Sequence, residues 1–219
     1  MIPVIIIGAA LAAAGLAGYL AREALLKALS GKRIAILGPR RAGKSHLIRF
    51  LSSGSVPEKY VSTGGTTTAK GRRIELEDLS LVLKDLADVP GEDFLAEWKR
   101  VQSNADFTLY LFRVDRVLAG DGPYVERLIR DLGHIEEWTR ERPTPLLLVG
   151  THADLDPAWD EEQPGLYVDR FHATTGVERM LARAGGTSRV TIVLGSMKDL
   201  PATEKLTYAL LRVLTGSGA

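Results

Sequence analysis

Residues 32–215 predict an α/β protein with a six-stranded, mostly parallel sheet and helices on both faces. Three observations carry this. Apolar runs of strand length alternate with longer stretches of helical periodicity. A glycine-rich turn joins the first such run directly to the first helix. The chain has 219 residues, 45% hydrophobic and 25% charged, which is the size and balance of one such domain with a small addition.

In chain order, strands are expected at Lys32–Leu37, Arg72–Glu77, Leu81–Asp88, Phe107–Val114, Pro145–Gly150 and Arg189–Leu194. Several are continuous runs of Val, Ile and Leu, as strands covered on both faces require. Helices should fill Lys44–Ser52, Glu92–Val101, Pro123–Glu141, Tyr167–Ala184 and Ala202–Thr215, supplying the crossovers that parallel strands need. Ligands of such sheets bind beyond the carboxyl ends of the strands, so the residues just after each strand hold the chemistry.

The N-terminus differs in composition from everything after it. Ile2–Ala21 contains no charged residue, and a helix of about 20 such residues crosses a bilayer core. No basic residue precedes it, which argues against a cleaved signal peptide, and an all-apolar helix fits poorly as an appendage to a complete domain. Residues 1–21 are therefore read as a transmembrane helix, 22–31 as a juxtamembrane linker and 32–219 as the folded domain. Arg22, Lys27, Lys32 and Arg33 follow the span, so the positive-inside rule places a single-pass protein with its domain in the cytoplasm.

Composition excludes several chemistries. There is no cysteine, hence no disulfide, thiolate nucleophile or cysteine zinc site. The four histidines show no metal-ligand spacing. A formal charge of +1 gives no ground for a nucleic-acid partner.

Gly38–Ser45, "GPRRAGKS", fits the phosphate-binding pattern G-x-x-x-x-G-K-[ST]. Gly38 and Gly43 let the backbone turn its N–H groups inward. Lys44 supplies charge for the outer phosphates and Ser45 a hydroxyl for Mg²⁺. Arg41, Ala42 and His46 complete the candidate contacts of the loop, and the helix that follows points its positive end at the same phosphates.

Three further stretches stand after strands. In "DVPG", Asp88 can hold Mg²⁺ while the Gly91 N–H reaches the terminal phosphate. In "THAD", Asp154 can accept two parallel hydrogen bonds from a guanine edge, which adenine cannot offer; Thr151 would brace the phosphate loop and His152 lie over the purine. In "GSMKD", the Met197 N–H could meet the guanine carbonyl, with Ser196 and Lys198 ordering the loop.

Together these motifs resemble those of small Ras-like GTPases, P-loop proteins built on a G domain, over Lys32 to about Thr215. The resemblance implies binding of GTP or GDP with Mg²⁺ and slow hydrolysis of GTP. It pairs Thr151–Asp154 with the N/T-K-x-D motif and Ser196–Lys198 with the S-A-K loop, the departures being His152 for lysine and Met197 for alanine. It also implies a switch threonine on Mg²⁺, for which Thr66, Thr67 and Thr68 are available and Thr67 is favoured. Lys44, Thr67, Glu92 and Arg40 become the candidate catalytic residues. Arg40 stands where glycine is usual and Glu92 where a water-orienting glutamine is usual.

Two functions fit this pattern. One is a membrane-anchored switch that recruits an unidentified cytoplasmic effector. The other is a nucleotide-bound tether or receptor subunit that scarcely hydrolyses, similar in layout to the small subunit of the signal recognition particle receptor. Asp154 and the "GSMKD" loop disfavour an ATPase or kinase.

Overall fold

The protein is represented by a computed structural model that describes residues 5–7, 27, 30–56, 72–76, 79–83, 92–160, 164–186 and 190–214. Its strands are β1 (Ile5–Ile7), β2 (Arg33–Leu37), β3 (Arg72–Leu76), β4 (Leu79–Leu83), β5 (Phe107–Arg113), β6 (Leu146–Thr151) and β7 (Val190–Leu194). The helices are α1 (Lys44–Ser53), α2 (Glu92–Ser103), α3 (Val114–Leu118), α4 (Gly122–Glu141), α5 (Pro164–His172), α6 (Thr175–Arg183) and α7 (Leu200–Leu214), with a 3-10 turn at Ala153–Leu155.

The strands form one sheet in the order β1-β7-β6-β5-β2-β4-β3. All neighbours are parallel except β3 and β4, which pair antiparallel with Arg72 opposite Leu83. The six strands expected from the apolar runs are present. β4 begins two residues earlier than expected, at Leu79, and its expected end at Asp88 lies outside the described residues.

A seventh strand was not expected. Ile5–Ile7, inside the segment read as a membrane span, run parallel to β7 with Ile5 opposite Ile192 and Ile7 opposite Leu194. These three residues are strand and not helix; the rest of Ile2–Ala21 lies outside the described residues. Among the described residues no helix is long and apolar enough to cross a membrane.

Burial explains the layering. Every residue of β6 is buried, as are the last four of β2 and the middle five of β5. The twofold alternation of strand side chains splits the core into two. Ala35, Leu37, Tyr110 and Phe112 face Trp98 of α2, Leu128 and Ile135 of α4, Phe171 of α5 and Met180 of α6. Ile34, Ile36, Leu109 and Leu111 face Leu47 and Ile48 of α1 and Leu206 and Leu210 of α7.

The single helix expected at Tyr167–Ala184 is two helices. The break falls at Ala173–Thr174, where Thr174 adopts an extended backbone (φ −84°, ψ 116°) and α6 restarts at Thr175. Paired β-branched threonines followed by Gly176 favour a new helix start over continuation. Two of the described residues before α5 pack against it. Asp156 is buried and accepts from Arg170 Nη1 at 2.7 and 2.8 Å. Trp159 meets Tyr167 edge to face at 4.8 Å, and Phe171 lies 6.4 Å from Phe112.

The topology fixes where the site falls. β4 and β3 lie on one side of β2, the chain reaching the edge strand β3 first and returning to β4, and β5, β6 and β7 follow outward on the other. The switch point is therefore the gap between β2 and β5, and the loop after β2 opens into it. The parallel register brings Leu37 beside Tyr110, Arg113 beside Thr151 and Gly150 beside Leu194, so the loops after β2, β5, β6 and β7 gather at one end.

Candidate functional site

The loop from Gly38 to Gly43 depends on backbone conformations that side chains resist. Gly38 has φ 132°, and a Cβ there would stand 2.0 Å from the Leu111 carbonyl oxygen, so only glycine lets the loop cross β5. Gly43, at φ 85°, is the N-cap of α1 and carries no side-chain cap. The helix's first N–H groups thus have no side-chain acceptor from that residue and point toward the loop's concave side. Arg41 sits at φ 62° although it is not glycine, a conformation costing about 1–2 kcal/mol for an L-residue.

Lys44 opens α1 and is 6% exposed. Its Nζ donates to the carbonyls of Gly38 at 2.9 Å and Pro39 at 2.8 Å, which lays the ammonium across the loop. Ser45, Arg40 and Arg41 are exposed, His46 is half-buried and Ala42 is buried.

Thr151, the last residue of β6, is fully buried. Its Oγ1 lies 3.1 Å from the Ala42 carbonyl, 3.0 Å from the Phe112 carbonyl and 2.8 Å from His152 Nδ1. One hydroxyl proton serves one carbonyl at a time, and the arrangement suits the His152 tautomer with hydrogen on Nδ1 donating to the hydroxyl. Thr151 Oγ1 thus stands within hydrogen-bond reach of the phosphate loop at Ala42. Burial, then the Arg113 charge, hold the His152 ring below the ordinary histidine value. Burial and the nearby His152 lower His46 in the same way; its Nε2 lies 3.3 Å from Thr203 Oγ1 of α7.

Asp154 stands half-buried in the 3-10 turn and accepts from Ser196 Oγ. Ser196 Oγ in turn accepts from the Lys198 N–H at 3.0 Å. The Ala153 N–H donates to the Gly195 carbonyl at 3.1 Å and the Gly195 N–H to the Gly150 carbonyl at 2.9 Å. The "THAD" and "GSMK" loops are therefore one hydrogen-bonded unit, with Met197 buried and Lys198 exposed.

Gly38, Arg40, Arg41, Ala42, Gly43, His152, Asp154, Ser196, Met197 and Lys198 lie on the loops gathered at the carboxyl end of the sheet, with Lys44, Ser45 and His46 in the first turn of α1 and Thr151 at the end of β6 beside them. Glu92 is the first residue of α2. Thr66, Thr67, Thr68, Asp88 and Gly91 lie outside the described residues. Among the described residues no cluster of three or more His, Asp or Glu offers a ready-made metal site. Arg113 escaped the sequence reading. It ends β5 opposite Thr151, is ion-paired with Asp115, and its charge reaches both His152 and Asp154. The one signal for it was its place at a strand's carboxyl end.

The fold and the loops define a class: a doubly wound α/β sheet with one antiparallel pair, carrying a phosphate-loop motif between its central strand β2 and the helix α1. A solved structure described as an ADP-ribosylation-factor-like GTP-binding protein, the small COPII coat GTPase SAR1 of Encephalitozoon cuniculi in complex with GDP, superposes with a TM-score of 0.51. It covers 92% of this chain and 89% of its own, at 14% identity, so the likeness is one of fold. No family model matches the sequence, and no curated protein matches it.

Proposed function

We infer that the protein binds GTP and GDP with Mg²⁺ and works as a slowly hydrolysing GTPase switch anchored to a membrane. The observation that carries this is the joining of Asp154 to Ser196 beside a phosphate loop that Thr151 braces at Ala42. A carboxylate so held is preorganised to accept from two donors on one base edge, and Lys44 is preorganised for phosphate oxygens.

The donor types fit Mg²⁺, a hard cation that takes few protein ligands beside substrate phosphates. Ser45, with Thr67 and Asp88 as further oxygen donors, would hold it, and its charge would offset that of the phosphates. The chain's own residues bind and orient: Lys44 the outer phosphates, the Gly38–Gly43 backbone the phosphate cradle, and Asp154 with the Met197 N–H the base. Affinities of the full-length protein for GTP, GDP and ATP in Mg²⁺ test the reading, and equal affinity for ATP and GTP removes its basis.

Hydrolysis without a partner is expected to be slow. Arg40 is exposed on the phosphate loop, where its bulk crowds the attacking water, and an ionised Glu92 repels phosphate oxygens. Arginine acting in cis supports rates on the order of 10⁻² per second elsewhere, but a side chain rooted in the loop has little freedom to reach round the phosphate. Single-turnover phosphate release should fall far below the roughly 1 per second of assisted enzymes; a rate at or above that would end the slow-switch reading. A tether that scarcely hydrolyses is the second reading, favoured by the same Arg40.

The anchor rests on the uncharged stretch Ile2–Ala21. Insertion of that stretch requires Ile5–Ile7 to leave β7, since a paired strand and a spanning helix exclude each other. Full-length protein is expected to stay with membranes in alkaline carbonate, and its release without detergent would refute the anchor.

A further inference from the structure

Two residues depart from the guanine-binding motifs that the sequence resembles, His152 for lysine and Met197 for alanine. In the fold they are neighbours. Met197 is 7% exposed, and its side chain reaches from the loop after β7 to the loop after β2. A Cβ placed on Gly43 would stand 2.3 Å from Met197 Cε, 3.9 Å from His152 Cε1 and 3.9 Å from Thr151 Cγ2. The methionine methyl therefore lies directly on Gly43, with the histidine ring and threonine methyl beside it.

Gly43 is the residue through which the phosphate loop turns into α1, immediately before Lys44. The guanine loop consequently touches the phosphate loop in two ways. One contact is polar, Thr151 Oγ1 to the Ala42 carbonyl at 3.1 Å. The other is apolar, Met197 on Gly43. His152 enters the polar contact only through the Thr151 hydroxyl. Its backbone is left-handed (φ 60°) and its ring is tied to Thr151 at 2.8 Å, held close to its own strand end.

Side-chain length joins the two departures. A lysine at 152 carries a four-carbon stem that can extend along the loop surface, whereas the imidazole ends at its ring. An alanine at 197 has nothing beyond Cβ and would leave the face of Gly43 bare beside a histidine. Methionine, with three rotatable bonds and a polarisable sulfur, fills irregular gaps of this kind. A lysine stem directed toward Gly43, as the His152 ring is, would enter the space that the methionine methyl holds.

We propose that His152 and Met197 form a compensating pair, in which the methionine seats the guanine loop on Gly43 in the space the shorter histidine leaves, so that each departure depends on the other. The pair is a positioning device for the nucleotide site, and in that sense it rests on the guanine reading above. Its packing is a property of the chain alone.

The test is a double-mutant cycle on the full-length protein: parent, Met197→Ala, His152→Lys and the double variant. Thermal unfolding is measured without nucleotide, and GDP affinity in Mg²⁺. Each single substitution should lower Tm by roughly 2–4 °C and weaken GDP binding by roughly tenfold. The double variant should lose less than the sum of the two single losses in both measurements, falling short of the parent by the hydrogen bond that the His152 ring makes to Thr151. Losses that simply add in both measurements overturn the pair, and with GDP bound normally by the parent they leave the guanine reading untouched. A parent that binds no guanine nucleotide ends that reading and the positioning role with it, whatever the unfolding cycle gives.

Discussion

Asp154→Asn is expected to turn the protein from guanine toward xanthine nucleotides. The carboxylate has two acceptor oxygens, and a guanine edge presents two donors to it. An amide keeps one acceptor and replaces the other by a donor, which faces a guanine N–H unfavourably but matches the additional carbonyl of xanthine. Charge-assisted hydrogen bonds are worth about 1.5–3 kcal/mol each, so the loss of two amounts to roughly 10²- to 10⁴-fold in GDP affinity. The fold should tolerate the change: Asn can still accept from Ser196 Oγ, the one side-chain partner of Asp154 named above. Paired titrations with GDP and its xanthine counterpart measure the switch. An Asn variant that keeps the parent's preference for GDP would show that Asp154 does not read the base.

Lys44→Ala should come next in size. The ammonium is buried and bonded to the carbonyls of Gly38 and Pro39, so its removal takes away the phosphate charge and strips two buried acceptors of their donor. Truncating one member of a buried charged pair costs about 2–5 kcal/mol, or roughly 30- to 4,000-fold in affinity. Ser45→Asn should weaken binding chiefly when Mg²⁺ is present, because the role proposed for its exposed hydroxyl is to hold the cation. Comparing GDP affinity with and without Mg²⁺ separates the two effects. Unchanged affinity in both variants would leave the loop without a role.

Local features made most of this legible in the sequence. The phosphate loop is marked by glycines whose necessity is steric, and Gly38 proves to lie where a Cβ would meet a carbonyl. Strands β2, β5, β6 and β7 announce themselves as apolar runs because both their faces are covered. The hidden features are those made by distant residues. Nothing in "GSMKD" reveals that Met197 rests on Gly43, and nothing in "LYLFRVD" reveals that Arg113 lies opposite Thr151. The break at Thr174 was missed because apolar residues at helical spacing stand on both sides of it. The strand at Ile5–Ile7 was hidden for a different reason. Inside a long uncharged stretch, a short apolar run reads alike as strand, helix or span.

That strand also governs how the protein will behave in pieces. Val190–Leu194 is bordered by β6 on one side and by Ile5–Ile7 on the other. A fragment beginning after the linker, the obvious choice for handling the domain apart from its apolar N-terminus, would uncover the outer flank of "VTIVL" in solution, where no membrane holds Ile2–Ala21 away from it. That flank is a row of free N–H and C=O groups on an uncharged, β-branched sequence without proline, the kind of margin along which chains add to one another. Shortened versions of this protein therefore invite oligomers and filaments through β7, and a charged residue on that margin would be the remedy to build in from the start.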